Sequence, residues 1–416
     1  MTGAGWTGRD LILDVGPVAH GGHCVARYEG RVVFVRHALP SERVRALVTE
    51  DAGGSYCRAD AVSVLTASAD RVEPPCPYAG PGRCGGCDWQ HADGAAQRAL
   101  KGAVVREQLA RLGGRPDVAI TVEALPGGLL GWRSRVRFAV DPAGRVGMHR
   151  HRSAELELVQ HCPLGTADVN AVGVPQHQWP GVDAVEVVAS SGGDRALVVT
   201  AGAPAAVAVP ALHTAGLSVL QRRPGDGPTR RSGHRAVREQ AAGRVFRVGA
   251  GGFWQVHVGA AEALVTAVLE ALAPRPGESA VDLYAGVGLF GAAIGDRLGA
   301  GGRVTLIESD PAAARDAVFN LRDQTAQVTV RVGRVDRALR KHPPVDLVVL
   351  DPPRSGAKAT VVRQIAALTP RAVAYVACDP AALARDVATF AAHGYRLASV
   401  RAFDLFPMTH HIECVA

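Results

Sequence analysis

Lysine is almost missing from this chain: 43 of its 46 basic residues are arginine, a bias that GC-rich coding would also produce. Long apolar runs are missing too. None approaches the ~20 residues of a membrane-spanning helix, and the first residues show no basic-then-apolar leader pattern. These absences point to a soluble, cytoplasmic protein with no membrane partner. Cysteine occurs eight times, but without an export signal that number does not imply a disulfide framework. Internal repeats and a long disordered tail are absent as well.

What is present is enough apolar material for real cores: 47% of 416 residues are hydrophobic, a length that fits two to four domains. The net charge is +7, and residues 95–245 hold 19 Lys and Arg against 12 Asp and Glu, so the whole surplus sits in the middle. Arginine's planar fork suits phosphate. An RNA-facing surface and an ordinary solvated basic surface both remain open on this ground alone.

The rhythm of the sequence divides the chain. Residues 1–66 read as five short strands at 11–15, 23–27, 31–35, 42–48 and 61–65, separated by turns such as Gly21-Gly22 and Glu29-Gly30. That pattern predicts a small β-barrel, a fold that often binds single-stranded nucleic acid, and leaves a purely structural β domain open. Residues 67–94 form a loop rich in Pro, Gly and Cys. Residues 95–245 open with an amphipathic helix over 95–113, followed by strands at 133–140, 146–149, 185–189 and 196–200 and a basic loop at 222–233. This is a central α+β domain. From 246 to 416 strands and helices alternate, which predicts a doubly wound, Rossmann-like domain with a mostly parallel sheet.

Three motifs at the strand ends of that last domain carry chemistry. Strand 279–284 feeds Gly286-Val287-Gly288-Leu289-Phe290-Gly291, a glycine turn opening a helix, and Glu308 ends the next strand, where a carboxylate accepts both ribose hydroxyls. NAD and S-adenosylmethionine sites both use this arrangement; Asp282, just before the turn, leans toward the methyl donor. Asp351-Pro352-Pro353-Arg354 follows the fourth strand, a loop that methyltransferases of this topology use to grip a base and that an NAD-linked enzyme does not need. The prolines hold Asp351 in one direction. Cys378, at the end of another strand and just before Pro380, is expected to gain thiolate character from the helix start that follows it. A nucleophilic thiol suits methylation at C5 of a pyrimidine: its addition at C6 makes C5 electron-rich. Glu413, on the final strand, is the candidate base for the C5 proton. His410 and His411 precede it. As neighbours on a strand they would point to opposite faces, which argues against a shared metal.

Together these residues resemble the class I RNA uracil-5-methyltransferases. The resemblance runs over nearly the whole chain, through Gly252-Phe253-Trp254-Gln255-Val256-His257, Asp282-Leu283-Tyr284-Ala285-Gly286-Val287-Gly288, Asp351-Pro352-Pro353-Arg354, Cys378-Asp379-Pro380 and Phe406-Pro407 with His411-Ile412-Glu413. It implies a class I methyltransferase domain at 246–416, with S-adenosylmethionine contacted by Gln255, Tyr284, Glu308 and Asp351, Cys378 as nucleophile and Glu413 as general base. It implies a TRAM domain at 1–66, a barrel of the OB type, and an RNA-contacting centre starting near Arg133–Phe138. The expected partner is RNA, 23S rRNA or tRNA, with no obligate protein partner. Cys76, Cys84 and Cys87, with Cys162 far downstream, resemble the iron–sulfur site of one branch of the family and imply a 4Fe–4S cluster, with zinc as the alternative. Cys24, Cys57 and Cys414 are read as packing residues. Asp379 departs from the family pattern, where Asn is common, and a carboxylate there would raise the thiol's pKa unless it points away. The remaining alternative is an RNA-binding or chaperone protein with an inactive methyltransferase fold.

Overall fold

The structure is a computed structural model, and it describes residues 5–202, 207–212, 214–223 and 225–416. Pro224, within the basic stretch read as a loop, lies outside the described residues.

The N-terminal unit holds β1 (Asp10–Asp14), β2 (Cys24–Tyr28), β3 (Arg31–Arg36), β4 (Arg43–Glu50) and β5 (Tyr56–Thr66), in the order β1-β4-β5-β3-β2. Strict alternation makes these strands: Val44, Ala46 and Val48 are buried while Arg43, Arg45 and Leu47 face solvent. The core they cover also takes Trp89 and, from α1 (Gly94–Arg111), Ala96, Leu100 and Val104.

That helix is the first departure from the sequence division. Its other apolar residues, Val105 and Leu109, pack into the C-terminal core beside Leu383 and Val387. The next strand, β6 (Val122–Ala124), pairs in parallel with a strand of the C-terminal sheet, joining Val122 to Ala402. Residues 95–124, read as the start of the central domain, thus bridge the N-terminal core and the C-terminal sheet. A helix buried on two sides carries no single apolar stripe, so its sequence does not reveal which neighbour it serves. Lys101 is fully buried on α1, its Nζ 2.5 Å from Asp404 Oδ1 and 3.0 Å from the Phe406 carbonyl. A paired buried charge of this kind pins the helix in one seat, since an unpaired one would be costly.

The central sheet contains β7 (Arg135–Val140), β8 (Val146–His149), β9 (Leu156–Leu158), then, after α2 (Ala167–Ala171), β10 (Ala184–Ala189), β11 (Arg195–Thr200), β12 (Ser218–Arg222) and β13 (Thr229–Ser232), in the order β13-β12-β11-β10-β7-β8-β9. A separate hairpin, β14 (Ala236–Ala241) and β15 (Arg244–Gly249), follows. Much of the basic stretch 222–233 is therefore a β12–β13 hairpin rather than a loop. All four residues of β13 are exposed, so no apolar alternation marks it. Some arginines of the middle are paired at the surface: Arg238 meets Asp194 at 2.7 Å and Arg244 meets Asp296 at 2.9 Å.

The C-terminal unit runs α3 (Ala260–Leu272), β16 (Ser279–Leu283), α4 (Leu289–Leu298), β17 (Arg303–Glu308), α5 (Pro311–Asn320), β18 (Gln327–Val332), α6 (Val335–Ala338), β19 (Leu347–Leu350), α7 (Lys358–Ala367), β20 (Ala372–Ala377), α8 (Pro380–Ala392), β21 (Arg401–Asp404) and β22 (Glu413–Val415). The sheet order is β18-β17-β16-β19-β20-β22-β21-β6. Strands β16 and β19 are buried throughout, as parallel strands covered on both faces must be. Strand order reverses between β16 and β19. A crevice opens at such a switch point, beyond the carboxyl ends of the strands. No described helix is long and apolar enough to cross a membrane.

Candidate active site

Six side chains singled out in the sequence, Gln255, Tyr284, Glu308, Asp351, Cys378 and Glu413, line one cavity of about 1560 Å³ at that crevice. Topology explains the convergence. Tyr284, Glu308, Asp351 and Cys378 each stand at or just past the end of β16, β17, β19 or β20, which run in parallel.

The glycine turn is held from both sides. Tyr284 adopts φ 62°, a left-handed conformation rare for a bulky residue and a sign of a functional constraint. A Cβ on Gly288 would stand 2.5 Å from Leu321 Cδ1, so only glycine fits there. A Cβ on Gly286 would meet nothing within 4 Å; the turn is open on the side where the cavity lies. Glu308 closes the turn, accepting from Gly286 N at 2.8 Å and from Asp310 N at 2.6 Å. Beneath it, Asp282 Oδ2 accepts from Gly291 N at 2.8 Å, while its Oδ1 has no hydrogen-bond partner among the described residues.

Burial, aided by the nearby charges of Asp351 and Glu308, pushes the Asp282 carboxyl up to about 8 from 3.8. The folded state then binds more protons than the unfolded chain between those values, so this group makes stability fall as pH rises from about 4 to about 8. Asp282→Asn keeps an acceptor for Gly291 and removes the ionisable group. It should raise stability at pH 7.5 by about 1–3 kcal/mol and flatten the pH dependence. Thermal melts of both proteins from pH 5 to 8.5 check this; the gain should shrink toward pH 5.

The thiol lies opposite a carboxyl. Strand β22 pairs antiparallel with β20, matching Val376 to Val415 and Ala377 to Cys414. One step further, that register sets Cys378 across from Glu413, and facing residues of an antiparallel pair share a face. Burial pushes the thiol up to about 12, and the charges of Glu413 and Asp351 push the same way, against Arg354. Burial and the two carboxyls thus oppose the thiolate character expected from the helix start after Cys378. Burial also raises Asp351 to about 7 and Glu413 well above its ordinary value. Asp379 is turned to other work. It caps α8 by accepting from Ala382 N at 2.7 Å and meets His20 Nε2 at 3.0 Å.

His410 and His411 precede β22 rather than lying on it, so their rings are not on opposite faces; they lie together, tilted by 46° with centroids 4.1 Å apart. Burial, with the charges of His410 and Arg354, pushes His411 down to about 3, and it faces Arg354 Nη2 at 3.3 Å as a neutral acceptor. His410 Nδ1 lies 2.6 Å from Asp88 Oδ2.

Cys76, Cys84, Cys87 and Cys162 are all free thiols. Cys87 and Cys162 pack on the same small cluster of Trp132, Leu164 and Met408. Burial raises Cys84 and Cys87, and the neighbouring thiols Cys76 and Cys162 push both the same way. The loop is stitched to the central sheet by Gly85 N donating to the His149 carbonyl at 2.9 Å and by Arg83 meeting Glu157 at 2.8 Å. Among the described residues no group of three or more His, Cys, Asp or Glu side chains is arranged to hold a metal ion. The four thiols expected to hold a 4Fe–4S cluster, with zinc as the alternative, are thus not gathered into such a group. Cys24, Cys57 and Cys414 are buried.

Sequence reasoning missed several cavity walls. The β14–β15 hairpin contributes Val237, Arg238, Arg247 and Gly249. Its first strand, Ala236–Ala241, carries no apolar alternation, because one of its buried positions is Glu239. His20, from the N-terminal sheet, reaches the residue after the candidate nucleophile, and a contact spanning 359 positions leaves no local mark.

A switch-point crevice with a glycine turn, a carboxylate closing the next strand and a thiol beside a carboxyl defines a nucleoside-cofactor enzyme domain. Family models match at residues 329–416, tRNA (uracil-5-)-methyltransferase, and at residues 7–62, TRAM domain. An uncharacterized RNA methyltransferase of Streptomyces avermitilis is 50% identical, covering 98% of this chain and 98% of its own length. The 23S rRNA (uracil(1939)-C(5))-methyltransferase RlmD of Thiobacillus denitrificans is 33% identical, covering 97% of this chain and 98% of its own. The structure of Pyrococcus abyssi tRNA (uracil-54, C5)-methyltransferase in complex with S-adenosyl-L-homocysteine superimposes with a TM-score of 0.74 at 20% identity, covering 98% of this chain and 99% of that one, and shares the fold. The chain belongs to the RNA (uracil-5-)-methyltransferase family, in the form that carries a TRAM domain.

Proposed function

We propose that this enzyme methylates C5 of a uridine in structured RNA through a covalent adduct between Cys378 and C6. The observation that carries this reading is the β20–β22 register, which sets Cys378 against Glu413 in the cavity that the glycine turn enters. S-adenosylmethionine, when bound, supplies an electrophilic methyl on a cationic sulfonium. The residues present fit it: the open side of Gly286 leaves room, and Gln255, Tyr284, Glu308 and Asp351 line the same space.

A thiol with a pKa near 12 holds little thiolate at neutral pH, so attack must be coupled to loss of its proton. Asp351, raised to about 7 in the same cavity, is a base of suitable strength for that proton. Sulfur then bonds to C6, and the electron pair of the C5–C6 double bond moves toward O4. C5 takes the methyl. Glu413 removes the C5 proton, the double bond reforms, and the C6–S bond breaks with sulfur keeping the pair. The base must leave its stack to reach this cavity. The N-terminal sheet, read as an OB-type TRAM barrel, and the arginine-rich middle hold the RNA backbone. Full-length similarity to an enzyme named for 23S rRNA favours rRNA over tRNA. No observation favours the inactive RNA-binding alternative. Labelled methyl transfer onto fractionated tRNA and 23S rRNA, followed by nucleoside analysis, tests the reading: 5-methyluridine is expected, and label on any other nucleoside contradicts it.

The cysteine pattern and the resemblance, rather than the arrangement of the thiols, support a 4Fe–4S cluster bridging the 76–87 loop and Cys162, as a staple rather than a redox centre. Anaerobically purified protein should hold about four irons per chain. Cys84→Ser should lose the visible absorption and lower the melting temperature. Iron-free protein with an unchanged melt would remove the cluster from the account.

A further inference from the structure

Cys378 borders two cavities. The large one lies on the cofactor side; a smaller one, about 180 Å³, lies on the other and is lined by His20, Gly22, Arg354, Cys378 and His411 among others. Its outer wall is the β1–β2 turn of the RNA-binding unit. That turn is tight, with Ala19 N donating to the His23 carbonyl at 2.7 Å and Gly22 N to the Ala19 carbonyl at 3.1 Å. It is also pressed onto the catalytic unit. A Cβ on Gly22 would stand 2.5 Å from His410 Cβ, and the Gly22 carbonyl accepts from Trp89 Nε1 at 3.0 Å. From its tip His20 Nε2 reaches Asp379 Oδ2 at 3.0 Å, while Asp379 Oδ1 caps α8.

We propose that His20 is a positioning residue for the nucleophile: through Asp379 it fixes the first turn of α8 and hence the direction of the Cys378 thiol, so the RNA-binding unit completes the catalytic centre. This rests on the covalent reading above. The chemistry of the pair agrees with it. The hydrogen bond to Asp379 raises the His20 pKa, and against the upward push of burial the His20 and Ala382 contacts hold Asp379 below its usual value. A histidine–carboxylate pair gives a charge-assisted contact with a defined direction. The pair is half-exposed, so its stabilising effect is small; its effect is geometric. The contact also accounts for a carboxylate beside a nucleophile it would otherwise oppose. Asp379 is engaged away from the sulfur.

The test uses the full-length protein and a uridine RNA carrying 5-fluorouracil at the target, with S-adenosylmethionine present. His20→Ala should slow single-turnover trapping about 10- to 100-fold, as a small misplacement of a reacting group does. RNA affinity should stay within about twofold, since no phosphate contact is removed. His20→Gln retains a donor for Asp379 and should restore most of the rate. Gly22→Ala, which forces the turn off His410, should reproduce the His20→Ala defect. A second readout needs no turnover: the rate of Cys378 alkylation by iodoacetamide, followed by peptide mass, should change in His20→Ala and return in His20→Gln. Equal trapping and equal alkylation in His20→Ala and wild type would overturn the inference. So would a defect confined to RNA affinity, or one that His20→Gln leaves unrestored. If wild type itself is never trapped, the covalent reading fails first and this inference falls with it.

Discussion

Cys378→Ala is expected to abolish methyl transfer, by at least about 10³-fold, and to eliminate the covalent RNA complex. The size follows from the role. Without sulfur at C6 the C5 carbon is not nucleophilic, and no neighbouring side chain can substitute. The protein itself should be nearly unharmed. The thiol lies at a cavity wall, so losing it opens no sealed hole in the core. RNA affinity should change less than about threefold, because phosphate contacts supply most of it. Filter binding and labelled methyl transfer on the same preparations separate the two properties. Complementation of a deletion strain by Cys378→Ala as well as by wild type would favour the inactive RNA-binding alternative instead.

Glu413→Gln should give the opposite signature: adduct without release. Burial raises the Glu413 carboxyl well above its ordinary value, and an uncharged amide of the same shape replaces it with little strain. The substitution also removes a group that, when ionised, pushes the Cys378 thiol up. Attack on C6 should therefore be at least as fast as in wild type. Removal of the C5 proton should be slowed by about 10²- to 10⁴-fold. Incubated with ordinary uridine RNA and S-adenosylmethionine, Glu413→Gln should accumulate a covalent complex that carries the methyl group, seen as a mass shift on a denaturing gel. Wild-type turnover by this variant would mean that another base does the work; Asp351, raised to about 7 in the same cavity, is then the group to change.

The pH profile follows from the same groups. Cys378, Asp351 and Glu413 are all raised, so the groups that must give up protons do so only as pH rises. Single-turnover rates should climb through pH 7 to 9 rather than peak in mild acid.

The strand-end residues were legible in the sequence because each motif sits where an apolar run stops: Val345–Leu350 before Asp351, Ala372–Ala377 before Cys378. Parallel strands make such ends converge, so a linear reading gives the right neighbourhood. Electrostatics were not legible. Pro380 marked a helix start and favoured a low thiol pKa, but the count of buried carboxyls around that sulfur depends on β20–β22 pairing. Long-range partners were equally hidden. Lys101 looks like any helix lysine until Asp404 and the Phe406 carbonyl close on it. His20 looks like a turn residue until the N-terminal sheet docks on α8. The cysteines lie between these cases. Spacing gathers three of them, and Cys162 joins only through packing on Trp132 and Met408.

The account turns on one bond, between the Cys378 sulfur and C6 of the target uracil. The most direct measurement is mass-spectrometric mapping of the wild-type protein after incubation with 5-fluorouracil RNA and S-adenosylmethionine. The account predicts a stable nucleotide adduct on the peptide that contains Cys378. A protein that methylates ordinary RNA yet forms no adduct, or carries it on a different residue, would contradict it.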